Sequence, residues 1–232
     1  ITLEIYTKTM GNIVINEILE DSDGRDSINY KKIINAGKGR SKGLEFFIQK
    51  KYFNNWYGSF AWSHSISEMW DDRDEGKYYN WDYDYGDVIN VIGGFKIEYQ
   101  KYDWYQKYKK TYWSYLFSLL PFSPSDEYEI SFKLRYLGGR PYTPKTYDHN
   151  IREWYTSAEG DWNTKRYGSY LRFDLMLQQR YYFDQINMVI FYDFLNLFNK
   201  DNVWENIYLD DGTIKIAYQY KTIPTAGVVI EF

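Results

Sequence analysis

The side chains best suited to recognition chemistry fall in two aromatic-rich stretches. Trp70, Tyr78, Tyr79, Trp81, Tyr83 and Tyr85 crowd one, and Tyr142, Tyr147, Trp154, Tyr155, Trp162 and Tyr167 crowd the next. Rings set among polar groups suit stacking on sugars, aromatic siderophores or peptides. Trp70, Trp81, Tyr83, Tyr85, Arg140, Tyr142, Trp154 and Trp162 are therefore the candidate ligand contacts. Mutual packing of long loops would employ the same rings and stays open beside this reading. The first stretch also holds Asp71, Asp72, Asp74, Glu75, Asp82, Asp84 and Asp87. Oxygen-rich runs can hold calcium, but this spacing follows no EF-hand loop, so a solvated acidic face is expected and no metal. Catalysis needs a converging acid, base and nucleophile. The chain has two histidines, His64 and His149, and no cysteine. It also lacks any Gly-x-Ser-x-Gly, phosphate-loop or zinc pattern. No catalytic residue, enzymatic activity or cofactor is expected.

The elements that must present these loops read as strands. Of 232 residues 22% are aromatic, and Tyr and Trp (27 and 9) outnumber Phe (14), yet mean hydropathy is only −0.64. Tyr and Trp settle where an apolar body meets a polar boundary. No run approaches the roughly 18 apolar residues of a membrane helix. A transmembrane barrel reconciles these properties, because alternate residues face lipid and the others a polar lumen. Period-two alternation recurs along the chain. Trp56, Phe60, Trp62 and Ile66 oppose Tyr57, Ser59, Ala61, Ser63, Ser65 and Ser67. Tyr128, Ile130, Phe132 and Leu134 oppose Glu129, Ser131, Lys133 and Arg135. Leu171, Phe173, Leu175 and Leu177 oppose Arg172, Asp174, Gln178 and Arg180. Lys96, Lys133, Arg135, Arg172 and Arg180 share the polar side with Glu98, Glu129, Asp174 and Asp193, as ion-pair ladders across neighbouring strands would require. The net charge of −4 and the absence of a long basic run exclude nucleic acid as a partner.

Connections alternate in length. Tight turns at Phe53-Asn54-Asn55 and Phe183-Asp184-Gln185 contrast with long loops over 69–87 and 139–168, the rim asymmetry of outer-membrane barrels. About eight strands follow, near 1–18, 29–52, 56–68, 88–100, 127–138, 169–182, 186–208 and 214–232. The long loops, with turns near 20–28 and 209–213, then lie outside the cell. Pro224 predicts a bend or bulge in the last strand. At the opposite, short-turn rim, Trp104, Tyr108, Tyr112, Tyr115 or Leu116, and Leu119 fall at helical spacing among lysines. That pattern predicts a basic aromatic helix within 101–126, suited to a membrane interface. Thr225–Phe232 reads as an apolar closing strand in which Gly227, Ile230 and Phe232 form a membrane-insertion signal.

Several short motifs resemble one family in order and spacing. Gly37-Lys38-Gly39-Arg40-Ser41-Lys42-Gly43-Leu44-Glu45 is similar to a Gly-Leu-Glu barrel strand of TonB-dependent receptors. Arg135-Tyr136-Leu137-Gly138-Gly139-Arg140-Pro141-Tyr142-Thr143-Pro144 resembles a strand-to-loop passage of the same family, in its Bacteroidetes-like branch. Asp193-Phe194-Leu195-Asn196-Leu197-Phe198-Asn199-Lys200 resembles its penultimate strand, and the Gly-x-x-apolar-x-Phe ending its last. Barrels of this family have about 22 strands around a plugged lumen. The resemblance therefore implies an all-β fold, with residues 1–232 as the C-terminal part of a larger antiparallel transmembrane β-barrel whose plug and first strands are absent. It also implies a place in the Gram-negative outer membrane. The implied partners are outer-membrane lipids and lipopolysaccharide, the barrel-assembly machinery during insertion, and the TonB complex through the absent plug. The implied cargo is a large substrate such as a siderophore, cobalamin, glycan or peptide. The alternatives are a complete small outer-membrane barrel serving as anchor or adhesin, or an outer-membrane enzyme.

Overall fold

Side chains two apart share one face of a strand, and eight long strands turn that rule into a two-faced sheet. A computed structural model describes residues 1–16, 19–20, 26–27, 33–70, 77–156 and 162–232. The long strands are β1 (Thr2–Asn16), β2 (Ile33–Phe53), β3 (Trp56–Trp70), β4 (Asp87–Ile97), β5 (Glu127–Leu137), β6 (Tyr170–Tyr182), β7 (Asn187–Leu195) and β8 (Ile223–Glu231). Each pairs antiparallel with its neighbour in chain order, and the two-residue strand Tyr79–Asn80 adds to β3. Hairpin register carries the alternation across the sheet. Leu3, Phe46, Trp62, Ile89, Tyr136 and Leu171 form one continuous apolar row over β1–β6. Trp56, Phe95, Ile130, Leu177, Tyr192 and Ala226 form another over β3–β8. The opposite face is small, polar and charged, as in the row Ala61, Asn90, Arg135 and Arg172. Ion pairs cross it from Lys96 to Glu127 and, at 2.6 Å, from Arg180 to Glu231, while Arg172 pairs along its own strand with Asp174 at 2.9 Å.

Turn chemistry sets the two rims. Asn54 and Asn55 both have positive φ (52° and 69°), the two-residue hairpin geometry that Asn tolerates. Between β6 and β7 the Phe183 N–H donates to the Ile186 carbonyl at 3.0 Å. Chain excursions at the opposite rim are long, and those over 138–169 and 196–222 carry two-stranded hairpins of their own. The expected turn near 20–28 lies largely outside the described residues, as does the 71–76 part of the expected 69–87 loop with Asp71, Asp72, Asp74 and Glu75.

Several expectations need correction. The sheet is open: among the described residues β1 pairs with β2 alone and β8 with β7 alone, so a closed eight-strand barrel does not form. The strand expected over 186–208 stops at Leu195, because Asn196 and Asn199 take left-handed backbone (φ 52° each). The Asn196 side chain fixes that turn, donating to the Lys200 and Tyr220 carbonyls at 3.0 and 3.2 Å and accepting from the Lys200 N–H at 3.1 Å. Val203–Tyr208 pairs instead with Ile214–Tyr218, so the strand expected over 214–232 is also split. Pro224 makes no bulge; register runs unbroken from Ile223 to Glu231. An edge strand has one unpartnered side, which accommodates a residue without an N–H.

The expected helix over 101–126 is two short ones, α1 (Asp103–Lys109) and α2 (Tyr112–Phe117). They break at Lys110-Thr111, and neither has a side-chain N-cap. The pair and the chain after it lie against the apolar face of β5–β7. Tyr105, Tyr128, Leu177, Tyr181 and Ile190 are buried there, together with a fully buried Gln179. Burial among these groups pushes the Tyr105 hydroxyl well above its ordinary range. The Gln179 amide donates to the Leu120 and Ser123 carbonyls at 2.9 and 2.7 Å. Gln179→Met keeps the length but leaves the Ser123 carbonyl without this donor, an expected local cost of about 1–3 kcal/mol. Hydrogen exchange checks it: amides of 118–126 should exchange faster while those of β2 and β3 stay unchanged.

Candidate functional site

At the long-loop rim the backbone is drawn inward by two glycines. The Tyr85 carbonyl occupies the place a Cβ on Gly138 would take, and the Tyr167 carbonyl does the same at Gly139. Only residues without a side chain let three loop segments meet this closely. Gly86 (φ +71°) turns the chain into β4, and its carbonyl accepts from the Ser65 N–H at 2.9 Å. Trp81 is tied to β3 through its N–H and the Ser67 carbonyl (2.9 Å), and its ring packs on Gly39 of β2.

An ion pair with a buried carboxylate and a partly exposed guanidinium locks these segments. Asp84 is 2% exposed; one carboxylate oxygen accepts from the Ser67 N–H at 2.9 Å and the other from Arg166 at 2.5 Å. Arg166 also donates to the Asp84 carbonyl and, at 2.9 Å, to the Gly139 carbonyl. Asn163, also buried, donates to the Asn80 carbonyl (2.8 Å) and Asp82 (2.7 Å), and its N–H reaches the Thr143 hydroxyl at 3.1 Å. Asp87 accepts from the Trp62 indole at 3.1 Å and lies 3.0 Å from the His64 ring. The three described carboxylates of the acidic run therefore serve three different partner sets, and among the described residues no group of three metal-ligating side chains converges.

Two aromatic groups stand on this scaffold. In the first, Tyr142 stacks on Tyr167 at 4.3 Å, and the Arg140 guanidinium lies 5.4 Å from the Tyr167 ring and 5.6 Å from Trp204. Arg140 also donates to the Trp204 carbonyl at 2.9 Å. Tyr85, Arg140, Tyr167, Gly168, Trp204 and Gln219 border a narrow cleft here. In the second, Trp154 meets Tyr147 at 5.1 Å and Tyr208 at 4.8 Å, and its indole donates to the Leu209 carbonyl at 2.8 Å. Burial pushes the Tyr208 hydroxyl upward. At the adjoining hairpin tip Asp211 is held below the usual carboxylate range by the Thr213 hydroxyl and N–H. His149 sets its edge against Tyr147 at 5.0 Å.

The expected contacts thus divide. Tyr85, Arg140 and Tyr142 come together; Trp154 belongs to the second group. Trp81 packs on the sheet, Trp70 lies under Lys38 at 5.2 Å, and Tyr83 is 70% exposed. Trp162 is half-buried beside Asn163. Sequence reasoning passed over Trp204, Arg166 and Asn163. Trp204 was hidden inside an assumed strand, and a lone Arg or Asn in a loop carries no periodic signal. Of the three residues expected to form an insertion signal, Gly227 lies under the Phe191 ring on the polar face, Ile230 sits opposite Met188 on the apolar face, and Phe232 is fully exposed. No protein-family model matches this sequence, and no curated protein matches it.

Arg166→Met strands the buried Asp84 carboxylate and should destabilise the rim by about 2–3 kcal/mol, below the ~3–5 of a fully buried pair because the guanidinium is partly solvated. Asp84→Asn combined with Arg166→Met should recover part of that loss. Urea unfolding of the two variants checks the sign; equal midpoints would remove the ion pair as the lock.

Proposed function

We propose that the chain is part of the wall and outer rim of an outer-membrane β-barrel, in a receptor of the TonB-dependent kind that its motifs resemble. The observation that carries this reading is the exposed apolar face. Ile5, Trp56, Phe95, Phe132, Val228 and Ile230 all stand open on it. Partly exposed as they are, each would forfeit about 1–2 kcal/mol in water relative to full burial. Six such losses rival the whole net stability of a domain, roughly 5–15 kcal/mol. Hydrocarbon around the sheet removes the penalty and leaves the polar face for a lumen.

Strand length and rim asymmetry support the same reading. β3–β6 run 11 to 15 residues, enough for a tilted transmembrane strand of about 9–11. Edge strands β1 and β8 offer unpaired backbone groups of the kind that neighbouring wall strands would satisfy. In this arrangement the Tyr85–Arg140–Tyr167–Trp204 cleft faces outward. It offers stacking surfaces and a guanidinium to a bulky substrate carrying rings or sugars and an anionic or carbonyl group. Passage inward would depend on the plug and TonB contact of the complete receptor.

Lipid contact is tested by refolding the chain with vesicles whose acyl chains carry bromine. The expected result is strong quenching of tryptophan emission, reduced by Trp62→Phe on the apolar face and unchanged by Trp204→Phe in the loops. A chain that stays dispersed in detergent-free buffer with unquenched emission would overturn the reading.

A further inference from the structure

The excursion from Tyr99 to Asp126 is an oddity at a rim whose other turns are tight. Its base is closed where the Gln100 N–H donates to the Asp126 carbonyl at 3.1 Å. Asp126, 2% exposed, accepts from Lys109 at 2.7–2.8 Å and from the Tyr182 N–H at 2.7 Å, pinning α1 to the end of β6. From there the chain runs across the outward, apolar face of β5–β7.

Its backbone is satisfied in an unusual way. Between Phe117 and Pro121 the chain leaves the helix, yet each of the five carbonyls has a donor. Phe117 accepts from the Leu120 N–H at 2.9 Å and Ser118 from the Tyr181 hydroxyl at 3.2 Å. Leu119 accepts from the Tyr192 hydroxyl. Leu120 accepts from the Gln179 amide at 2.9 Å, and Pro121 from the Tyr128 hydroxyl at 2.7 Å. Four donors come from side chains standing on the apolar sheet face. A loop in water needs no such arrangement, because solvent supplies the donors. Irregular backbone at membrane depth needs all of it.

The outer surface of the same segment is apolar and aromatic. Tyr112, Trp113, Tyr115, Leu116, Leu119 and Phe122 are all more than half exposed. Lys107 and Lys110 are exposed beside them. The nearest carboxylates, Glu98 and Asp126, are already paired with Lys101 and Lys109, which leaves Asp103 as the one acid within the helices. Tyr and Trp around a leucine centre with a small excess of lysine is the chemistry of a phospholipid interface.

We propose that residues 99–122 are an interfacial cover, seated between the sheet and the bilayer at the short-turn rim. Their aromatic surface enters the headgroup–acyl boundary, and Lys107 and Lys110 meet lipid phosphates. This rests on the membrane reading above, and the experiment separates the two. The chain has no cysteine, so a single introduced thiol carries a nitroxide at one place. Leu116→Cys reports the cover and Val91→Cys the sheet, in the full chain refolded with phosphatidylcholine vesicles with or without phosphatidylglycerol. The expected result is that both labels collide more with oxygen than with a water-soluble nickel chelate, with Leu116→Cys nearer the headgroups. Thr111→Cys, outside the apolar surface, is the second position should Leu116→Cys disturb folding, and it should lie at headgroup depth. Lys107→Gln with Lys110→Gln should lower the docking equilibrium on the anionic vesicles roughly thirty-fold. A lipid-exposed Val91 label with water-exposed labels at 116 and 111 overturns the cover alone. Water exposure at all three overturns both readings. Shielding at 116 that needs no lipid and grows with protein concentration would assign the surface to a second copy instead.

Discussion

A backbone N–H or C=O taken out of water and left unpaired costs several kcal/mol. The long strands satisfy theirs with an antiparallel ladder running from β1 to β8, offset by bulges at Met10–Val14 of β1 and Lys50–Phe53 of β2. Once that ladder is fixed, side chains have no choice of direction: alternate residues go to opposite faces, and a one-residue slip would exchange the faces entirely. The contrast between the row Leu3–Phe46–Trp62–Ile89–Tyr136–Leu171 and the charged row behind it therefore pins register across six strands. Everything at the two rims is built outward from strand ends whose positions this contrast has already set.

At the long-loop rim the constraint changes character. Loops there have only short two-stranded ladders of their own, so side chains take over much of the pairing between segments. Asp84, Arg166, Asn163 and Asn196 each bond main-chain atoms of segments distant in sequence. Gly138 and Gly139 make room for neighbouring carbonyls. The aromatic side chains sit on this polar lock, so packing and recognition are not rival uses of the same rings. Tyr167 braces Tyr142 with one face while Arg140 and Trp204 line the cleft around it.

These two regimes explain what the sequence made legible. The strands near 56–68, 88–100, 127–138 and 169–182 were readable because period-two alternation is imposed on every residue of a two-faced sheet. Their observed bounds differ by a few residues at the ends. The break at Asn196 was not readable from alternation, because apolar residues continue on both sides of it. What decides it is a left-handed backbone held by one amide and three main-chain groups. The single helix expected over 101–126 failed for a related reason. Helical spacing of Trp104, Tyr108, Tyr112 and Leu119 describes the outward stripe, but Tyr105 is the ring that packs inward, and the first helix ends at Lys110-Thr111, where the Thr111 hydroxyl and N–H both bond the Tyr108 carbonyl.

Gln179 shows how the two regimes meet. It continues the apolar register of Leu171, Phe173, Leu175 and Leu177, so by position it belongs on the apolar face, where an amide without partners is costly. It is nonetheless wholly buried, and both of its donor bonds go to the covering chain. Tyr128, Tyr181 and Tyr192 repeat the pattern around it, each an aromatic body on the apolar face with its hydroxyl spent on a carbonyl of the cover. A sheet face wholly adapted to hydrocarbon would carry no such cluster of donors, and a face adapted to water would not confine them to one patch. Their confinement beneath residues 118–123 means that the sheet and its cover were specified together. A polar residue in register with an apolar face was the one trace of that pairing in the sequence.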